Sequence, residues 1–346
     1  MNRGSSIDEQ EEEMRYCYIL FIGMMFVILT GCADQADEKN TLENGEGTTP
    51  VSFMLEWTPN TNHTGIYVAQ EKGYFEEEGL DVEIMLPGEA GTEQLIATEK
   101  VDFGMSVQEH LSIARDEGMP LVSIAAVIQH NTAGYASDQD LGIKDPVDFE
   151  GKTFGAVGND LELAIMKTIM KEKDADISKV DFKNIGDADF FAAIEKDIDF
   201  SLVYQGWTGM EAKVRHQDLN MVYLKEFSDA LDFYTPILAT SEDMIENHPE
   251  QVEAFVHAAA KGYEFAIEHP LEAAEILIDE EPDLDEELVK QSQDWLAEKY
   301  QDDATQFGIQ EEERWKNVEQ FMLDNDIIKD PIQVNQAYTN DFLPDK

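Results

Sequence analysis

The chain has 346 residues, enough for two compact lobes that each bury a core of their own. Its 74 acidic residues against 24 basic ones leave a net charge of −50. That charge excludes nucleic acid as a natural partner, because the phosphate backbone would be repelled, and it argues against long-range steering of an anionic solute. Runs such as Glu76-Glu77-Glu78 and Asp279-Glu280-Glu281 read as solvated helix faces. The first feature along the chain is an uncharged, almost wholly apolar stretch from Tyr16 to Thr30 that stops at Gly31-Cys32. It is short for a permanent membrane span and the right length for a signal-peptide core, so residues 1–31 are predicted to be a signal peptide.

The ending Leu29-Thr30-Gly31-Cys32 resembles the lipobox of bacterial lipoproteins. The resemblance implies a lipid on Cys32 that holds an extracytoplasmic protein to the outer face of the cell membrane. Asp8 to Glu13 is acidic where a basic leader is expected, which points to Met14 rather than Met1 as the true start. Residues 32–50 are polar and aperiodic and read as a flexible tether. The other cysteine, Cys17, lies in the signal, so no disulfide, thiolate metal site or cysteine nucleophile is available, and no metal or cofactor is expected.

From Val51 onward short apolar runs alternate with amphipathic segments, the pattern of βαβ units and an α/β fold. Strands are predicted at 51–55, 82–86, 101–105 and 121–127. Between them lie helices at 64–72, ended by Gly73, and at 92–98 and 108–117. The pattern restarts with strands at 152–156, 180–183, 200–204 and 221–224. Helices there follow an Asn159 or Asp160 cap and cover about 189–196. A strand at 237–240 reads as a return to the first lobe, and helices at 250–269, 271–278, 286–299 and 311–325 complete the chain. The expected organisation is a first lobe from 51–135 plus 236–346 and a second lobe from 136–235. Two crossovers join them, so that a hinged cleft faces the carboxyl ends of the strands.

Glu56-Trp57-Thr58-Pro59-Asn60-Thr61-Asn62-His63-Thr64-Gly65, the stretch Lys72 to Val82, Lys100 to Gly104, Trp207 to Ala212, Tyr234-Thr235-Pro236 and Tyr338 to Pro344 closely resemble a known family. Its members are binding proteins and enzymes of thiamine-pyrimidine metabolism. The transport members, formylaminopyrimidine-binding proteins of ABC importers, have a periplasmic-binding-protein fold. The resemblance implies a small-molecule solute, permease and ATPase partners, and a monomer that catalyses nothing. The enzymatic branch makes the pyrimidine from its own active-site histidine with pyridoxal phosphate and iron and carries a cysteine-rich stretch. This chain has no cysteine beyond Cys32.

The site residues have physical roles of their own. Trp57 follows a strand and precedes Pro59-Asn60, which suits a ring projecting into the cleft to stack on a heterocycle, or else a core plug. Asn60 and His63 offer donors and acceptors near a helix start, with packing or capping as the alternative for His63. Gly88 and Glu89 open a turn into a helix, as do Ser106 and Gln108 after the third strand. In the second lobe Gly158, Asn159 and Asp160 end one strand and Tyr204 and Trp207 another; one of that aromatic pair is expected in the core. Tyr234 is a further candidate. The resemblance leads us to expect a Glu after Trp207 for pairing with an aminopyrimidine, and Thr208 stands there instead; Glu56, Glu162 or Asp160 are the substitutes considered.

The leading reading is a carrier of a formylaminopyrimidine or hydroxymethylpyrimidine solute. The same fold also suits riboflavin, a sulfonate, taurine or nitrate, and a ligand-sensing ectodomain is the reading from another class.

Overall fold

A computed structural model describes residues 47–345 apart from Glu89 and Asp187. The expected signal peptide, Cys32 and most of the tether lie outside the described residues, as does Glu89. Ten strands form two five-stranded sheets. In the first, β1 (Thr49–Met54) lies between β2 (Leu80–Met85) and β3 (Phe103–Ser106), parallel to both. The return strand β10 (Ile237–Ser241) runs antiparallel between β3 and β4 (Leu121–Ala126). In the second, β6 (Thr153–Ala156) lies parallel between β7 (Asp181–Asn184) and β8 (Phe200–Tyr204). There β5 (Ala133–Asp138) runs antiparallel between β8 and β9 (Leu219–Tyr223).

One antiparallel strand in each sheet follows from the chain's route. A segment leaving the carboxyl end of β4 reaches the second sheet at the edge where its parallel strands also end. β5 therefore has to run away from that edge, against β8. β10 repeats this on the way back. Both crossovers thus lie on the side where the parallel strands finish, the side on which open α/β sheets bind ligands.

Two expectations need correction here. Thr49 and Pro50 pair with Leu80 and Asp81, so the end of the expected tether is strand. The expected boundary at 135/136 cuts through β5, which starts at Ala133. Its sequence, Ala-Gly-Tyr-Ala-Ser-Asp, is too rich in small residues to show an apolar run, and its strand character comes from hydrogen bonding to β8 and β9.

Local signals place the elements that frame the site. Gly73 ends the helix Thr64–Glu71 in the left-handed conformation, φ 74°. Asn159 caps the helix Asp160–Glu172, its Oδ1 accepting from Glu162 N–H at 2.8 Å. Phe255, on the long helix Pro249–Glu268, meets the rings of Phe53, Phe75 and Phe103 at centroid distances of 5.5, 5.4 and 4.1 Å. That helix lies so close to Thr64–Glu71 that a Cβ on Gly262 would sit 2.0 Å from the Gly65 carbonyl oxygen, so only glycine fits. Among the described residues no helix is long and apolar enough to cross a membrane.

Candidate functional site

The turn after β1 is stapled from several sides. Asn60 caps it, with Oδ1 accepting from Asn62 N–H at 2.9 Å and Nδ2 donating to Thr58 O at 2.9 Å. Asn60 N–H donates to His63 Nδ1 at 3.1 Å, which puts the imidazole proton on Nε2, and Nε2 donates to Glu56 Oε2 at 2.8 Å. Tyr263 Oη donates to Asn62 O at 2.7 Å and Tyr300 Oη to Thr61 O at 2.6 Å. Ser292 Oγ donates to Gly206 O, so at the 2.5 Å contact between the Thr61 and Ser292 hydroxyls Thr61 is the donor. That chain ties the first-lobe turn, the helix Glu286–Leu296 and the end of β8 together.

These bonds revise the expected role of two residues. His63 is 0 % exposed with both ring nitrogens engaged, and Asn60 is buried with its amide used inside the turn. They hold the loop and do not line a cleft. The geometry they hold leaves Trp57 58 % exposed, which excludes the core-plug alternative.

Trp57 has company. Leu86 beyond β2, Val157 beyond β6 and Tyr204 at the end of β8 are also exposed, and each stands at the carboxyl end of a parallel strand. Large apolar side chains left in water at these positions in both sheets make this edge the candidate binding surface. Tyr204 is 41 % exposed. Burial of its hydroxyl end raises its pKa, and the Glu109 and Glu56 carboxylates of the first lobe raise it further against a bond with Thr235.

After Tyr204 the backbone makes a π-helical turn over Gln205–Gly209, a local irregularity often found at functional sites. It turns Trp207 onto the cluster of Tyr67, Ala274, Leu277 and Val289, where the indole is half-buried. Trp207 is thus an interlobe packing residue, and Tyr204 is the member of the pair left open. Thr208 is half-buried in the same turn.

Other expected residues are accounted for within the fold. Tyr234 is fully buried under the Arg314 guanidinium, 4.4 Å from its ring centroid, and its Oη accepts from Glu311 N–H at 2.9 Å. It belongs to the core, where Arg314 and Glu311 from distant parts of the chain close over it. Ser106 Oγ donates to Glu93 Oε1 at 2.5 Å. Gly88 is exposed, but the helix it leads to, Thr92–Ala97, has six residues, too few for a strong dipole. Gly158, Asn159 and Asp160 are exposed at the end of β6. Glu162 is buried: burial pushes its pKa up, while the Gly158 and Val157 N–H groups on its carboxylate oppose the shift. Glu162 braces that loop and has no spare reach towards the other lobe.

Glu109 carries no signal in the sequence, although it adjoins the turn that holds Ser106 and Gln108. An acidic residue in the first turn of the helix Gln108–Asp116 looks like ordinary dipole compensation. Only the fold reveals that it is buried. Among the described residues the His130, Asp302 and Asp303 ligand atoms lie within 4.8 Å of one another. Both His130 ring nitrogens are already bonded to Asp232 and Asp303, which leaves none for a metal.

With this geometry in view, the sequence profile of the family described as NMT1/THI5 like matches residues 60–273. The chain belongs to the NMT1/THI5-like family. A formylaminopyrimidine-binding protein of Halalkalibacterium halodurans is 28 % identical, over 94 % of this chain and 99 % of its own. A 4-amino-5-hydroxymethyl-2-methylpyrimidine phosphate synthase of Legionella pneumophila is 25 % identical over 85 % and 92 %. NMT1/THI5-like relatives thus include both a binding protein and synthases. Among solved structures the aliphatic sulphonate binding protein of Escherichia coli superposes with a TM-score of 0.65 at 9 % identity, covering 84 % of this chain and 97 % of that one. The fold of this NMT1/THI5-like chain is that of periplasmic solute-binding proteins.

Proposed function

We propose that this chain is the solute-binding component of an ABC importer and takes a thiamine-pyrimidine precursor, of formylaminopyrimidine or hydroxymethylpyrimidine type, into the cleft between its lobes. The observation that carries this reading is the pair of exposed rings, Trp57 at the end of β1 and Tyr204 at the end of β8, one from each lobe. A flat heterocycle between them would bury both its faces, and closure of two hinged lobes around it would create the surface that a permease reads. Lipid on Cys32 would keep the protein at the outer face of the membrane, beside the permease and its ATPase.

A carrier is favoured over a synthase on two grounds. The cysteine-rich stretch implied for the enzymatic branch has no counterpart, since no cysteine follows Cys32. His63, beside the site, is sealed in the protein with both nitrogens occupied, out of reach of a cofactor. The relationship to the Halalkalibacterium halodurans protein, spanning nearly the full length of both chains, supports the pyrimidine over other solutes.

Titration calorimetry of the purified protein with formylaminopyrimidine, 4-amino-5-hydroxymethyl-2-methylpyrimidine, riboflavin and taurine tests the reading. We expect heat from the two pyrimidines alone. Tight binding of riboflavin or taurine with no response to either pyrimidine would overturn it.

A further inference from the structure

At the carboxyl end of β3 two adjacent residues each hold a buried side-chain atom without a hydrogen-bond partner: Gln108 Nε2 and Glu109 Oε2. Gln108 is fully buried and held in register by the Tyr234 backbone. Its N–H donates to Tyr234 O at 3.0 Å and its Oε1 accepts from Tyr234 N–H at 2.9 Å, which leaves the amide NH2 unused. Glu109 is 6 % exposed. Burial pushes its pKa up to about 7, with His110 opposing and Glu93 adding to the shift. An acceptor and a donor kept dry and unpaired destabilise a fold, and natural proteins retain such groups mainly where something else satisfies them. Glu109 opens the helix that follows the carboxyl end of β3, and Tyr204 ends β8 at the corresponding edge of the other sheet.

We infer that Glu109 and Gln108 read the edge of the bound ring, Glu109 accepting an N–H from an exocyclic amino group and Gln108 Nε2 donating to the ring nitrogen beside it. This rests on the function proposed above and narrows it to heterocycles that present an amino donor next to a ring acceptor. It also moves the recognition carboxylate from position 208 in the second lobe, where threonine stands, to the first lobe. Trp57 and Tyr204 then take the faces of the ring while the two polar groups take its edge.

The test compares 4-amino-5-hydroxymethyl-2-methylpyrimidine with its 4-oxo counterpart, in which the amino donor becomes a carbonyl acceptor. Both are titrated into wild type, Glu109→Gln and Glu109→Leu. Wild type is expected to prefer the amino compound, and both variants to lose about 10- to 100-fold in affinity for it with the preference collapsing. Melting temperatures of the variants at pH 8 should equal or exceed wild type, because a dry unpaired charge has been removed. Unchanged affinity of both variants for the amino compound would overturn this inference alone. So would a lowered melting temperature with equal losses for the two compounds, which is the mark of a structural residue. Wild type binding neither pyrimidine would overturn the proposed function and this inference with it.

Discussion

The two crossovers and the candidate site lie at the same edge of the two sheets and treat their polar groups in opposite ways. At the crossovers His130, Asn131 and Asp232 are matched to one another. His130 Nδ1 bonds to Asp232 Oδ2 at 2.6 Å, and Asn131 N–H donates to Asp232 Oδ1 at 2.8 Å. The Asn131 amide bridges Leu231 O and Ala133 N–H, each at 2.8 Å, and Arg314 lies 3.6 Å from Asp232. A few residues away, Gln108 and Glu109 keep an atom each without a partner, and Trp57 and Tyr204 keep apolar surface in water. Satisfied groups hold a structure together; those left open at the mouth of two sheets are available to a ligand. The difference separates architecture from recognition without reference to any relative.

Breaking the satisfied side should give the largest effect. Asp232→Ala removes the acceptor shared by His130, Asn131 and Arg314, and it should lower stability by about 2–3 kcal/mol, since the partners are left partly buried and unpaired. Urea denaturation of the variant beside wild type measures this. A shift within experimental scatter would show that the crossovers are held by packing alone, and the contrast between crossovers and candidate site would fail on the crossover side.

Breaking the open side should leave stability alone. Trp57→Ala removes an indole that is 58 % exposed. The unfolding free energy from urea denaturation should hold to within about 0.5 kcal/mol. Affinity for the pyrimidine should fall roughly tenfold or more through lost stacking. Loss of stability instead would mean that the ring supports the loop.

The same contrast explains what was legible in the sequence. The alternation of strands and helices and the return strand expected at 237–240 can be read from local pattern, because each depends on the residues next to it, whereas the sequence left Trp57 open between a projecting ring and a core plug. β5 could not be, since its small residues become a strand only through two neighbours. Tyr234 and Trp207 look like binding aromatics in sequence, but burial decides the matter, and burial is settled by chain segments far away: Arg314 and Glu311 for one, the helices of 270–296 for the other. His63 was open to either reading until the hydrogen bonds to Asn60 and Glu56 used up its ring. Glu109 carries no local signal, because a buried carboxylate in a first helical turn has the same sequence as an exposed one.

The smallest expected effect sharpens the comparison through pH. The Asp232 hydrogen bond raises the His130 pKa above its ordinary value, with burial opposing it and the Asp232 charge and Asp303 adding to it. Burial pushes Asp232 up, but the His130 bond, Arg314 and Asn131 N–H outweigh it and leave its pKa lowered. A base whose pKa is raised on folding binds more protons in the folded state. Its contribution is therefore fully present below the unfolded value and fades as pH climbs through the folded one. Between about pH 6 and pH 9 the advantage of wild type over His130→Asn should shrink, and urea midpoints for both proteins across that range would reveal it. The Asp232 contribution has the opposite sign and is lost only in acid, so it leaves this window untouched. Glu109, whose pKa is raised to about 7, also becomes less favourable to folding as pH rises, but it is common to both proteins and cancels in the difference. A gap that stays constant from pH 6 to pH 9 would mean that His130 supports the crossover by shape and neutral hydrogen bonding, and that its charge plays no part in holding it.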